Sequence, residues 1–226
     1  MRTRLSLTSL AFLCAVLLAA CGSSSTSSSG SASASSSSAA TGSATSSSGS
    51  SPQIGFEAVP LEHGPPLARA GTTQTGTVDG ISCGPTEQLA YHIHAHLAVF
   101  DNGTLYQLPA GVGIPGSVAQ PTNQGPVAAG GTCIYWLHTH TTDGVIHVES
   151  PTKRIYTLGN FFDEWHQPLD ANHAGNLHGA ITAFVNGKLW KKSPRDIPLL
   201  PHADIQFDIG QPTPPIMTID WSQTQL

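Results

Sequence analysis

The chain has 226 residues, of which 10% are charged, and its formal net charge is −5 at pH 7. This acidic balance, without a basic stripe, argues against nucleic acid as a partner. The eleven histidines are the unusual part of the composition, because six of them fall in two short segments.

Residues 1–20 are predicted to be a signal peptide. Arg2 and Arg4 form its positive end, and the apolar run that follows is too short to span a bilayer stably. The run closes with LAAC at residues 18–21, which resembles the bacterial lipobox. The resemblance implies cleavage before Cys21 and a diacylglyceryl, palmitate-type anchor on its sulfur. The protein is then an extracytoplasmic lipoprotein of the cell membrane or the outer membrane.

Composition divides the rest of the chain into a tether and a domain. Residues 22–51 are almost entirely Ser, Gly, Ala and Thr, and they predict a flexible tether with a reach of roughly 30 Å. The following Pro- and Gly-rich residues predict an irregular lead-in, so that 21–74 is anchor, tether and lead-in. Residues 75–226 remain for one domain, and this length is enough for a single core.

Two cysteines remain in the exported domain once Cys14 has left with the signal and Cys21 carries lipid. Because paired cysteines prevail in oxidising compartments, Cys83 and Cys133 are predicted to form a disulfide. The alternative, a thiolate metal ligand, has less support because neither residue lies in a CxxC or CxH pattern.

The first histidine segment, residues 91–100, alternates strictly and predicts a strand. His92, His94 and His96 share one face, and apolar side chains occupy the other. Asn102-Gly103 then predicts a tight hairpin turn.

The second histidine segment, residues 136–151, follows a Gly- and Pro-rich loop predicted over 109–132 and reads as a hairpin around Asp143-Gly144. A two-residue turn places His140 opposite His147, whereas a four-residue turn places His138 there. The two registers differ by an even shift. The same face therefore carries the same four side chains in both: His138, His140, His147 and Glu149.

The remaining elements complete a mainly β, α+β fold with one short helix. Thr157 is a predicted N-cap for a helix over Leu158–Trp165, whose buried side consists of Phe161, Phe162 and Trp165. A second Asn-Gly hairpin turns at residues 186–187, and residues 205–209 alternate as a last strand. We expect a single-domain, antiparallel, hairpin-built sheet.

Histidines repeated on one face of two strands predict a transition-metal site, because zinc-like ions take imidazole nitrogens from stiff scaffolds. The candidate ligands are His138, His140, His147, His94, His96, His92 and Glu149. Within them the three histidines of the second segment are preferred, followed by His94 and His96, and Glu149 either ligates or orients a ligand. Zinc is the first choice, with copper(II) or nickel as alternatives.

Known metal proteins share only local patterns with this chain. The α-class carbonic anhydrases resemble it in a His-x-His strand with a neighbouring histidine, and cupins also use His-x-His, but their following Glu spacing is absent after His140. A blue-copper site is disfavoured because Cys133 lacks a suitably spaced pair of His and Met partners.

The segments YHIHAHLAVFDNG, CIYWLHTHTTDGVIHVESP and YTLGNFFDEW resemble a group of secreted bacterial and archaeal proteins, a likeness that implies no particular activity. The residues favour a metal-binding protein for capture, buffering or sensing. A metal-dependent hydrolase or lyase with Glu149 as base is the second hypothesis, and a metal-free structural envelope protein is the third. No G-x-S-x-G or other separate nucleophile motif supports an enzyme.

Overall fold

The computed structural model describes residues 52–71 and 75–226. The predicted signal peptide, the anchor at Cys21 and the whole tether, residues 22–51, lie outside these residues. Within the described ranges, no helix combines the length and the apolar character needed to cross a bilayer.

Short strands dominate the described chain. The strands are β1 Thr77–Val78, β2 Ile81–Gly84, β3 Tyr91–Asp101, β4 Thr104–Tyr106, β5 Gln120–Thr122, β6 Gly125–Val127, β7 Ile134–Tyr135, β8 Leu137–His138, β9 Val145–Ser150, β10 Tyr156–Thr157, β11 His173–Ala174, β12 Leu177–His178, β13 Ile181–Val185, β14 Lys188–Trp190, β15 Pro198–Leu199 and β16 Ala203–Ile209. The helix α1 spans Leu158–Trp165, and two 3-10 turns cover Pro194–Asp196 and Trp221–Gln223.

The main sheet has seven strands, in the order β14-β13-β16-β3-β9-β8 with β4 beside β3. The predicted mainly β fold with one α-helix is confirmed, and both Asn-Gly hairpins form as predicted. One pairing differs from the antiparallel expectation: β16 runs parallel to β3. The reason is that β16 inserts between the two Asn-Gly hairpins, so it is antiparallel to β13 and parallel to β3.

The sheet separates an apolar face from a histidine face. Ala95, Leu97 and Val99 of β3, together with Ile146 and Val148 of β9, are fully buried in the main core. Residues one position away along each strand point to the opposite side, where the histidines lie. The alternation of the sequence therefore separates the core from the site.

Helix α1 closes the apolar face. Thr157 caps it and forms a capping box with Asn160, as the predicted N-cap requires. Phe161, Phe162 and Trp165 are completely buried, which confirms the predicted inner side of the helix. The helix therefore packs on the core side, away from the histidines.

The N-terminal segment 52–71 is part of the folded domain. Val59, Leu61, Leu67 and Ala68 are buried, and the segment belongs to the same compact unit as residues 75–226. The folded unit therefore extends upstream of the predicted start at residue 75. This segment also carries two buried carboxylates that the site uses.

The predicted disulfide between Cys83 and Cys133 is confirmed, with a Cα–Cα distance of 5.5 Å. It joins β2 to the residue before β7, two strands that already pair. The bond closes a loop with a sequence separation of 50 that contains all of β3. It thus ties the approach to the first histidine strand to the approach to the second.

Candidate metal site

The site is built on three neighbouring strands. His138 of β8 lies directly opposite His147 of β9, and His147 lies opposite His94 of β3. Two residues away on each of β3 and β9, His92 is paired with Glu149. The hairpin register is therefore the longer-turn alternative, with His138 rather than His140 facing His147.

Two groups of side chains bring potential ligand atoms within 4.8 Å of one another. One group contains His138, His140, His147 and Glu149, and the other contains His92, His94, His147 and Glu149. His147 and Glu149 belong to both. Six of the seven predicted ligands thus converge, and only His96 lies outside the two groups.

Hydrogen bonds to backbone carbonyls orient His138 and His140. The Nδ1 atom of His138 is 2.9 Å from the Tyr135 carbonyl oxygen, and Nδ1 of His140 is 2.9 Å from the Ala128 carbonyl oxygen. Carbonyl oxygens only accept, so each Nδ1 carries a proton and Nε2 is the nitrogen left to ligate a metal. Those two Nε2 atoms face each other at 3.2 Å.

Carboxylates flank the central imidazole, that of His147. Its Nε2 lies 3.1 Å from Oε1 of Glu57, and its Nδ1 lies 3.3 Å from Oε1 of Glu149. Burial alone would lower the pKa of His147, but the two carboxylates outweigh burial and raise it to about 9. The two carboxylates therefore favour the charged form of His147 by their proximity, since neither contact has the geometry of a hydrogen bond.

Two other histidines are held in the neutral form. Burial, followed by the neighbouring imidazoles, lowers the pKa of His94 to about 3. Burial and the charges of His147 and His140 likewise hold the pKa of His138 well below its ordinary value. Neutral imidazole is the form that ligates metals, so protons compete little for these two rings.

His96 forms a separate buried pair. Its Nε2 is 3.1 Å from Oε1 of Glu62, and neither side chain is exposed. A Cβ atom on Gly144 would lie 2.6 Å from that Nε2, so a glycine in the turn leaves room for the pair. His96 shares the histidine face of β3 but lies opposite Val145, two residue pairs beyond His94 and His147.

Three carboxylates at or beside the histidines were missed by the sequence analysis: Glu57, Glu62 and Glu87. Glu57 and Glu62 come from the segment taken as an irregular lead-in, and Oε1 of Glu87 lies 3.4 Å from Nε2 of His140. The one available signal was the placing of Glu57 and Glu62 directly after apolar residues in GFEAVPLEHG.

A pocket of about 780 Å³ opens onto the cluster. Four histidines of the two groups and the carboxylates of Glu57, Glu87 and Glu149 line it, whereas His138 is fully buried and is not among the lining residues. Phe56, Ile93 and Val127 give the pocket an apolar side. An ion held by the cluster would therefore face a cavity of mixed character.

Comparison with known proteins does not assign the chain: no family model, curated protein or solved structure matches it. The geometry itself defines the class as a mainly β domain with a buried His/Glu cluster that could hold a metal ion.

Proposed function

We propose that this chain is an extracytoplasmic, lipid-anchored protein that binds a divalent transition metal ion for capture, buffering or sensing. The ligands of the ion are His138, His140, His147 and Glu149. These four side chains offer three imidazole nitrogens and one carboxylate oxygen within 4.8 Å of one another.

The observation that carries this proposal is the 3.2 Å separation of the Nε2 atoms of His138 and His140. Two lone pairs that face each other repel unless a proton or a metal ion lies between them. Two nitrogens bound to one tetrahedral zinc at its usual bond length are about 3.3 Å apart. Because His147 and Glu149 converge on the same place, a metal ion satisfies more donors there than a proton does.

The surroundings of the ligands support the same conclusion. Metal-binding histidines usually donate their second ring N–H to a carbonyl or carboxylate, which fixes the tautomer and the ring orientation. His138 and His140 do so through Tyr135 and Ala128, and Glu57 is placed to do so for His147. The ligand set of nitrogen and oxygen atoms favours zinc first, with copper(II) or nickel as alternatives.

The pocket favours a metal-dependent enzyme as the second candidate. A catalytic ion keeps one position for water or substrate, and a cavity of about 780 Å³ beside the cluster would admit a small organic molecule. In such an enzyme Glu149 would have two roles, as a ligand of the ion and as the general base that accepts a proton. Metal-dependent hydrolysis or hydration by the loaded protein, lost with the metal, distinguishes this candidate from simple binding.

The proposed location depends on the lipobox-like sequence ending at Cys21. The Cys83–Cys133 disulfide is consistent with it, because disulfides persist in oxidising compartments outside the cytoplasm. Metabolic labelling with palmitate, compared between the wild type and Cys21→Ser, tests the anchor separately from the metal.

The test of metal binding is elemental analysis of protein purified without a histidine tag, stripped with chelator and reloaded with zinc, copper(II) or nickel. The wild type should retain metal after desalting, and a His138→Ala/His140→Ala variant should lose the ion at this position. The matched control is His178→Ala, which removes an exposed histidine outside both groups. A wild type that retains none of the three metals would overturn the proposal.

A further inference from the structure

The cluster is larger than one ion needs. Resting on the proposed function, we infer that it is a dinuclear centre, in which a second divalent ion binds at His92 and His94 and Glu149 bridges the two ions. The second group of converging ligand atoms consists of His92, His94, His147 and Glu149.

The second position has its own pair of imidazoles. The rings of His92 and His94 are 4.6 Å apart, and Nε2 of His92 lies 3.1 Å from Oε1 of Glu149. The Nε2 atom of His94 is buried and has no hydrogen-bond partner among the described residues. A buried nitrogen without a partner costs free energy, and an ion at this position would satisfy it.

Glu149 stands between the two imidazole pairs. Its Oε1 is 3.1 Å from Nε2 of His92 and 3.8 Å from Nε2 of His138. Its other oxygen, Oε2, is buried and has no hydrogen-bond partner in the described part of the chain. Because Oε1 faces an imidazole of each pair, this oxygen is placed to bridge two ions at the separation of about 3.5–4 Å that two-metal sites adopt.

His147 completes the shell of the first ion, which is held by His138 and His140. The Glu57 carboxylate, 3.1 Å from Nε2 of His147, favours a proton on that nitrogen. The Nδ1 atom is then the ligand, and it lies on the Glu149 side of the ring at 3.3 Å from Oε1 of Glu149. His147 therefore ligates a single ion, and Glu149 is the ligand that both ions share.

The carboxylates of the pocket offset most of the positive charge of two ions. Two divalent ions bring four positive charges, and Glu57, Glu87 and Glu149 line the same pocket. With a single ion, the three carboxylates would outweigh its charge in a partly enclosed space. The ion at His92 would be the more accessible, because that side chain is 39% exposed whereas His138 is fully buried.

Zinc stoichiometry and copper(II) spectroscopy test the inference on untagged, chelator-stripped protein. The wild type should bind two equivalents of zinc. His92→Ala/His94→Ala should bind about one, as should His138→Ala/His140→Ala, and His178→Ala should keep two. With two equivalents of copper(II), the wild type should show an electron paramagnetic resonance spectrum of coupled spins, and each double variant should show that of an isolated ion.

The partly exposed His92 provides a milder variant if the double variants fail to fold. His92→Ala alone should weaken the second equivalent at least tenfold and leave the first unchanged. One equivalent of zinc in the wild type, or two that do not couple as copper(II), would overturn the dinuclear centre and leave the proposed metal-binding function standing. No bound metal in the wild type would overturn both.

Discussion

His147 and Glu57 lie 3.1 Å apart, between Nε2 and Oε1, although ninety positions separate them in the chain (147 − 57). The contact joins the central imidazole of the sheet to the N-terminal segment that covers it. Glu57 and Glu149 together raise the pKa of His147. Because Nε2 faces Glu57, the other ring nitrogen, Nδ1, faces Glu149 and the cluster.

Metal binding should release a proton from His147 at neutral pH. Because the pKa of His147 is about 9 in the metal-free protein, the ring is protonated at pH 7 and must lose its Nδ1 proton to ligate. Affinity should therefore keep rising from pH 7 towards pH 9, instead of levelling off just above 6.5, the ordinary value for histidine. Calorimetry in buffers of different ionisation enthalpy counts the released protons.

The variant Glu57→Gln provides the control for this effect. Removing one of the two flanking carboxylates should lower the pKa of His147, so fewer protons should be released at pH 7. A wild type that releases no proton at pH 7, with affinity constant between pH 7 and pH 9, would contradict the assignment of His147 as a ligand.

Asp143 predicts a pH-dependent stability in the metal-free protein. Burial, followed by the charge of Glu57, raises the pKa of Asp143 from 3.8 to about 7. The folded state then binds more protons than the unfolded state between these values. The contribution to stability is present below about pH 4 and is lost as the pH rises through 7.

Replacing this carboxyl group with a neutral amide should remove the loss of stability at high pH. Asp143→Asn keeps an oxygen that can accept from the Val145 amide, so it should match the wild type at pH 4 and exceed it at pH 8 by up to about 4 kcal/mol. Urea unfolding at the two pH values measures the difference. Asp196→Asn, at an exposed position, is the matched control, and equal pH profiles for wild type and Asp143→Asn would refute the prediction.

Loss of the disulfide should destabilise the domain by about 4 kcal/mol, the chain-entropy value for a closed loop of this length. Cys83→Ser/Cys133→Ser tests this by urea unfolding, compared with the oxidised wild type. The free energy of zinc binding should change by less than the free energy of unfolding, because β3, β9 and β8 pair with one another without the disulfide. A double variant as stable as the wild type would show that the loop is not entropically constrained.

Much of the site was predictable because strand alternation is a local property. Two strands that place histidines on one face must present them to the same side if the strands are neighbours, and β3 and β9 are. The Asn-Gly turns and the capped helix were predictable for the same reason, since each depends on a few adjacent residues.

The other features of the site depend on tertiary contacts, which leave no periodic pattern in the sequence. Glu57 and Glu62 lie in a segment with few regular elements, and only its packing across the histidine face buries them. His96 has the same alternation as His94 but pairs with Glu62, because it lies two residues further along β3. The register of the central hairpin depended on the turn length, which the sequence left open.

The most direct test of the central claim is zinc K-edge X-ray absorption on zinc-loaded, untagged protein. We predict a first shell of nitrogen and oxygen atoms at about 2.0–2.1 Å, with the outer-shell scattering of about two to three imidazoles per zinc and no sulfur. The same spectrum from His138→Ala/His140→Ala should have a smaller imidazole contribution. Protein that retains neither zinc nor, on reloading, copper(II) or nickel would contradict the account, as would zinc surrounded by oxygen alone.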